Sequence, residues 1–85
     1  MRDKRELARV WAEEKPSIRI GKGGVDAGLV AEVKRLLKKK RIIKVRVLRS
    51  ALAANEVDKL VAELAAQTSC EVCGRRGLVF VLARK

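Results

Sequence analysis

Hydrophobic positions along this chain recur first at a helical period and then at a strand period, and the order of the two predicts its elements. From Asp3 to about Glu14, Leu7, Val10, Trp11 and Glu14 fall at helical spacing, with Asp3 placed to cap a short amphipathic helix. Pro16 cannot continue that helix, and Ser17 to Ile20 alternates Ile18 and Ile20 with polar neighbours, as a half-buried strand does. Asp26 suits the N-cap of a second helix running to about Lys40. On it Leu29, Val30, Val33, Leu36 and Leu37 share one arc. Lys34, Arg35, Lys38, Lys39 and Arg41 occupy the remainder, while Lys40 falls on the apolar arc at the helix end, where its ammonium can turn out to water.

Ile42 to Leu48 sets Ile43, Val45 and Val47 against Lys44 and Arg46, again with period 2. Ser50 to Ala54 reads equally as loop or helix. A third helix follows from Asn55, as cap, to about Thr68, with Val57, Leu60, Val61, Leu64 and Ala65 on its apolar side. Two strands close the chain, Cys70 to Cys73 and Leu78 to Leu82, joined by Gly74-Arg75-Arg76-Gly77 as a hairpin turn. The result is a single α/β (α+β) domain of order α-β-α-β-α-β-β. Its first two strands, linked through a helix, should be parallel with a right-handed crossover, and the hairpin makes the four-stranded sheet mixed.

Charge changes the picture from fold to function. Lys and Arg outnumber Asp and Glu 12 to 2 over residues 15–49 and 4 to 0 over residues 74–85, whereas residues 1–14 balance at 4 to 4 and residues 50–73 are acidic at 1 to 4. The formal net charge of +11 therefore comes from a basic middle and a basic end. Such a layout concentrates polyanions at one surface. Within the basic stretch, Gly21-Lys22-Gly23-Gly24 joins a strand to a helix. Its glycines allow left-handed backbone and close approach of a phosphate, the helix start supplies N–H donors, and Lys22 adds a point charge. The loop lacks the Lys-Ser or Lys-Thr of a Walker motif and the third glycine of a dinucleotide fingerprint. The plain alternatives are a connection without a ligand and, for the cations, a solvated surface in which Lys38 to Arg41 merely offset the helix dipole. Against the second stands the near absence of acids, which leaves a like-charge surface that a polyanion would relieve. The loop, Lys34, Arg35, Lys38, Lys39, Arg41, Lys44 and Arg46, with Arg75 and Arg76 from the hairpin, are the candidate RNA contacts.

Other chemistries find little support. With no His or Tyr, and with Ser17, Ser50 and Ser69 lacking a recognisable base, no acid–base or nucleophilic site is expected, nor any cofactor; Glu32, Glu56, Asp58 and Glu63 read as solvated surface. Cys70-Glu71-Val72-Cys73 has no second pair to complete a zinc site within one chain, and in a regular strand its spacing sends the thiols to opposite faces, so no metal is expected and both read as structural. No apolar run is long enough to span a bilayer, and the basic segment lacks the Trp or Phe of a membrane-resting helix, so a cytoplasmic location is expected. With only Trp11 and Phe80 aromatic, base stacking gives way to phosphate, sugar and shape contacts.

Lys15-Pro16-Ser17-Ile18-Arg19-Ile20-Gly21-Lys22-Gly23-Gly24, then Ile43-Lys44-Val45, then Gly77-Leu78-Val79-Phe80-Val81-Leu82-Ala83-Arg84, together resemble the CRM domain, named for chloroplast RNA splicing and ribosome maturation; its free-standing prokaryotic members are called YhbY-like. The likeness spans nearly all of residues 5–84. It implies a fold like the C-terminal domain of translation initiation factor three, a glycine loop comparable to that of KH domains at Gly21, Lys22, Gly23 and Gly24, and binding of RNA, in prokaryotic members precursors of the large ribosomal subunit. Where the family often has Leu-Thr after the loop this chain has Val25-Asp26, and Ala83 stands where its last strand often has Tyr. The expected function is thus a non-catalytic RNA-binding protein of large-subunit assembly, with ribosomal RNA or its precursor and assembly proteins as partners. A small DNA-coating or chromatin protein is the alternative, and the acidic third helix could serve as a protein-docking surface.

Overall fold

The unbroken apolar run from Leu78 to Ala83 puts apolar side chains on both faces of the sheet and so requires a cover on each, and the chain supplies the two covers unequally. The computed structural model describes residues 4–12, 15–53 and 56–85. Helix α1 (Lys4–Ala12) is followed by strand β1 (Ile18–Ile20), helix α2 (Ala27–Lys39), strand β2 (Ile42–Val47), a 3-10 helix (Arg49–Ala53), helix α3 (Val57–Thr68), strand β3 (Cys70–Arg76) and strand β4 (Val79–Arg84). The sheet order is β1-β2-β4-β3, with β1 parallel to β2 and the other pairs antiparallel, so the mixed sheet and its parallel first pair are as expected.

One face of the sheet presents Ile18, Ile20, Ile43, Val45, Val47, Phe80, Leu82 and Cys70 to the apolar sides of α2 and α3, whose Val33, Leu37, Leu60, Val61 and Leu64 complete the main core. On the other face Ile42, Val81 and Ala83 pack against Val10 of α1, with Leu7, Trp11 and Cys73 at the margin. Two helices thus cover most of one face, leaving Val72 and Arg75 of β3 exposed on it. The single nine-residue α1 covers only part of the other. In β2 this shows residue by residue: Ile42 and Lys44 lie buried under α1, whereas Arg46 on the same side is exposed.

The ends of the elements depart from expectation where non-local contacts intervene. Both closing strands run past their predicted ends, to Arg76 and Arg84, and the hairpin turns over Gly77 and Leu78 only, with Arg76 paired to Val79. Gly77 has φ of 57° while Leu78 does not have positive φ, the pattern of a type II′ turn, whose twist suits the flanking strands. Gly74 belongs to β3. A Cβ there would sit 3.3 Å from Cζ2 of Trp11, so this glycine serves the docking of α1 and not the turn. The register shifts between Val72 and Gly74, making Cys73 a bulge residue; Cys70 still faces the main core and Cys73 the α1 side. The ambiguous segment from Ser50 is 3-10 helical as far as Ala53, with Ala51 buried. The N-cap of α3 is Glu56, without a side-chain cap hydrogen bond; Ala54, Asn55, Asp3, Glu13 and Glu14 lie outside the described residues. No helix among the described residues is long and apolar enough to cross a membrane.

Candidate nucleic-acid interface

Strand β1 ends where Leu48 N–H donates to the Ile20 carbonyl, and the chain must then reverse into α2 within a few residues. It does so through a turn in which Gly24 N–H donates to the Gly21 carbonyl at 2.9 Å, with Gly24 at φ of 66°. A β-carbon at Gly24 would be strained in that left-handed conformation. Lys22 and Gly23 form the exposed tip, and neither has a hydrogen-bond acceptor for its N–H among the described residues. Asp26 caps α2 as the sequence predicts: its Oδ1 accepts from Leu29 N–H at 2.8 Å. A carboxylate already takes one donor at the helix N-terminus, so the donors left for a phosphate are those of the loop tip and the Ala27 and Gly28 N–H groups.

Along α2 the apolar arc buries Val33 and Leu37 and leaves Lys34, Arg35, Lys38 and Lys39 exposed. Arg35 is not a free cation. Its Nη2 lies 2.5 Å from Glu32 Oε1, and that hydrogen bond, ahead of the charges of Arg35 and Lys39, holds the Glu32 carboxyl below its ordinary pKa and Arg35 above its own. The ion pair is therefore fully formed at neutral pH and weakens only as pH falls through the lowered carboxyl value. Lys34 and Lys38, one turn apart, instead border a cleft of about 310 Å³ with Leu37, Thr68, Ser69, Arg84 and Lys85. Four cations and no acid line it. Arg84 N–H donates to the Arg41 carbonyl at 3.0 Å, which ties exposed Arg41 to the same end of the molecule. The loop sits at one end of α2 and the cleft towards the other; a 13-residue helix measures about 20 Å.

A family model for the CRS1 / YhbY (CRM) domain matches residues 1–84. The chain belongs to the CRM family. Among solved structures it is similar to the solution structure of the hypothetical protein SAV1595 from Staphylococcus aureus, described as a candidate RNA-binding protein, with 27% identity, a TM-score of 0.71, and coverage of 96% of this chain and 83% of that one. No curated protein matches the chain.

The remaining sequence-predicted contacts of this CRM domain do not join the α2 surface. Lys44 is 8% exposed on the opposite sheet face, where its Nζ donates to the Trp11 carbonyl at 3.1 Å and lies 5.9 Å from the centre of the indole. Arg46 shares that face, as does Arg76, whose guanidinium sits 4.5 Å from the Trp11 ring centre. Arg75 points to the helix side and pairs with Asp58 of α3, its Nε also donating to the Gly77 carbonyl at 3.0 Å. Conversely, Arg84 and Lys85 line the cleft although no spacing in the sequence singles them out. Their basic character is legible in the chain; their proximity to Lys34 and Lys38 follows from β4 lying inside the sheet beside β2.

Lys44 is accordingly a docking residue for α1. Lys44→Ala is expected to lower the unfolding free energy by about 1.5–3 kcal/mol, the range for a hydrogen bond to a charged group, and to shift the fluorescence of Trp11. Arg46→Ala should stay within about 0.5 kcal/mol of the parent. Urea unfolding followed by that tryptophan measures both, and equal stability of the two variants would deny Lys44 this role.

Proposed function

We propose that this CRM domain is a non-catalytic RNA-binding module that holds a sugar–phosphate chain between the Gly21–Gly24 loop and the cleft at the far end of α2. The observation that carries the reading is a continuous run of cations: an exposed lysine at a glycine turn, followed along one helix by Lys34 and Lys38 and then by Arg84 and Lys85, with no acidic side chain lining the cleft. Family membership and the description of the Staphylococcus aureus protein support the same partner. Lys39 and Arg41 extend the surface and Arg35 contributes less, being held by Glu32. Ribosomal RNA during large-subunit assembly is the specific target we propose, on the family resemblance.

Contacts of this kind displace counterions, so affinity should fall steeply with salt. For about five phosphates the slope of log affinity against log salt is expected near −3.5 on single-stranded RNA. Competition between structured RNA and duplex DNA at one salt concentration tests the choice of nucleic acid. A slope near zero would remove the electrostatic mechanism, and preference for the duplex DNA would favour a DNA-coating role. Crosslinking in cells with sequencing of the attached RNA tests the ribosomal target.

A further inference from the structure

The pairing of the strands places Arg19 opposite Arg46, Arg46 opposite Val79, and Val79 opposite Arg76. These four residues form one row across β1, β2, β4 and β3, on the face turned away from α2 and α3. At about 4.8 Å per strand the row spans about 14 Å. It lies beyond the margin of α1: one step along the strands Lys44, Val81 and Gly74 are covered, with Trp11 against Gly74, whereas Arg19, Arg46 and Arg76 are exposed. Among the described residues neither Arg19 nor Arg46 has an acidic partner. Like charges directly opposite on neighbouring strands oppose folding, so this arrangement costs stability in the free protein. The Arg76 guanidinium lies 4.5 Å from the Trp11 ring centre, a cation–π contact that favours one placement of its fork.

We propose that this arginine row is a second phosphate-binding surface, on which the same RNA strand continues after it passes the Gly21–Gly24 loop. The route is short. Arg19 precedes Lys22 by three residues, so their backbones are within about 10 Å. The loop, the end of β1 and the 77–78 turn all lie at the end of the sheet where the row runs. The strand therefore wraps the β1 edge and contacts both faces of the domain. This inference rests on the RNA-binding reading above and extends it to a face with which α2 shares no surface.

The test compares the parent with Arg19→Gln/Arg46→Gln, using single-stranded RNAs of about 4 nucleotides, the span a G-x-x-G loop clamps, and about 16 nucleotides, the upper site size of a single OB fold. The double variant should bind the longer RNA about tenfold more weakly at low salt, with a salt slope shallower by about 1.4 for two lost phosphates, and the shorter RNA unchanged. Arg19→Lys/Arg46→Lys should retain the parent slope. The melting temperature of the Gln variant at low salt should equal or exceed that of the parent, which separates contact loss from unfolding. If Lys22→Ala weakens both RNAs while the double variant matches the parent on both, or weakens both equally, the arginine row is not a contact surface and the loop reading stands. If the parent binds neither RNA, the RNA reading falls and this inference with it.

Discussion

Phe80→Ala is expected to lower the unfolding free energy by about 3–5 kcal/mol, more than any other truncation in the core of this domain. Phe80 is fully buried at the middle of the sheet, opposite Val45 in β2 and Arg75 in β3, on the face covered by α2 and α3. Among the described residues it is the only aromatic in the main core, and Ile20, Leu60, Leu64 and Leu82 of the same cluster are themselves fully or almost fully enclosed. Those residues belong to β1, α3 and β4, so collapse of the cavity would have to move elements relative to one another. At about 0.05–0.15 kcal/mol per residue, a domain of this size has roughly 4–13 kcal/mol in total. The substitution therefore removes a large share of it. Urea unfolding of parent and variant measures the change, and a loss under about 1 kcal/mol would mean that Phe80 is not the centre of the packing.

Removing Lys22, Lys34 and Lys38 together by alanine substitution should weaken RNA binding about 100-fold at low salt. The magnitude takes about 1 kcal/mol for each of three exposed charge contacts, with 1.4 kcal/mol per factor of ten. The salt slope should become shallower by about 2 on single-stranded RNA. The loss should be nearly the same for unrelated sequences, because phosphates carry no sequence information. All three side chains are exposed, and loss of like charge relieves self-repulsion, so stability should be unchanged or slightly higher. Filter binding or fluorescence anisotropy over a salt series reads both quantities. A loss confined to one RNA sequence, or an unchanged slope, would show that these lysines do not meet phosphates.

Much of the candidate site follows from local rules. Strand, glycine turn and capped helix are consecutive in the chain, and each is set by neighbours within about four residues, so Asp26, the Gly21–Gly24 turn and the basic arc of α2 stand where periodicity puts them. The grouping of the remaining cations does not follow from such rules. Lys44 and Arg46 are near α2 in sequence, but alternation in β2 already turns them away from Val45 and Val47, hence away from the helix that packs on those residues. Gly74 resembles a turn glycine because it stands beside Arg75-Arg76-Gly77, whereas its neighbour in space is Trp11, 63 residues earlier in the chain.

The sequence alone determined the element order, the parallel first pair of strands, the basic face of α2 and the likeness to the CRM family, because hydrophobic period, caps and glycine turns act over short separations. Tertiary structure decided which cations share a surface. Sheet order brings Arg84 and Lys85 to Lys34 and Lys38, the partial cover of α1 buries Lys44 while exposing Arg46, and strand register aligns Arg19, Arg46 and Arg76. Pairing register and helix docking are fixed by contacts between distant segments, and no local period encodes them.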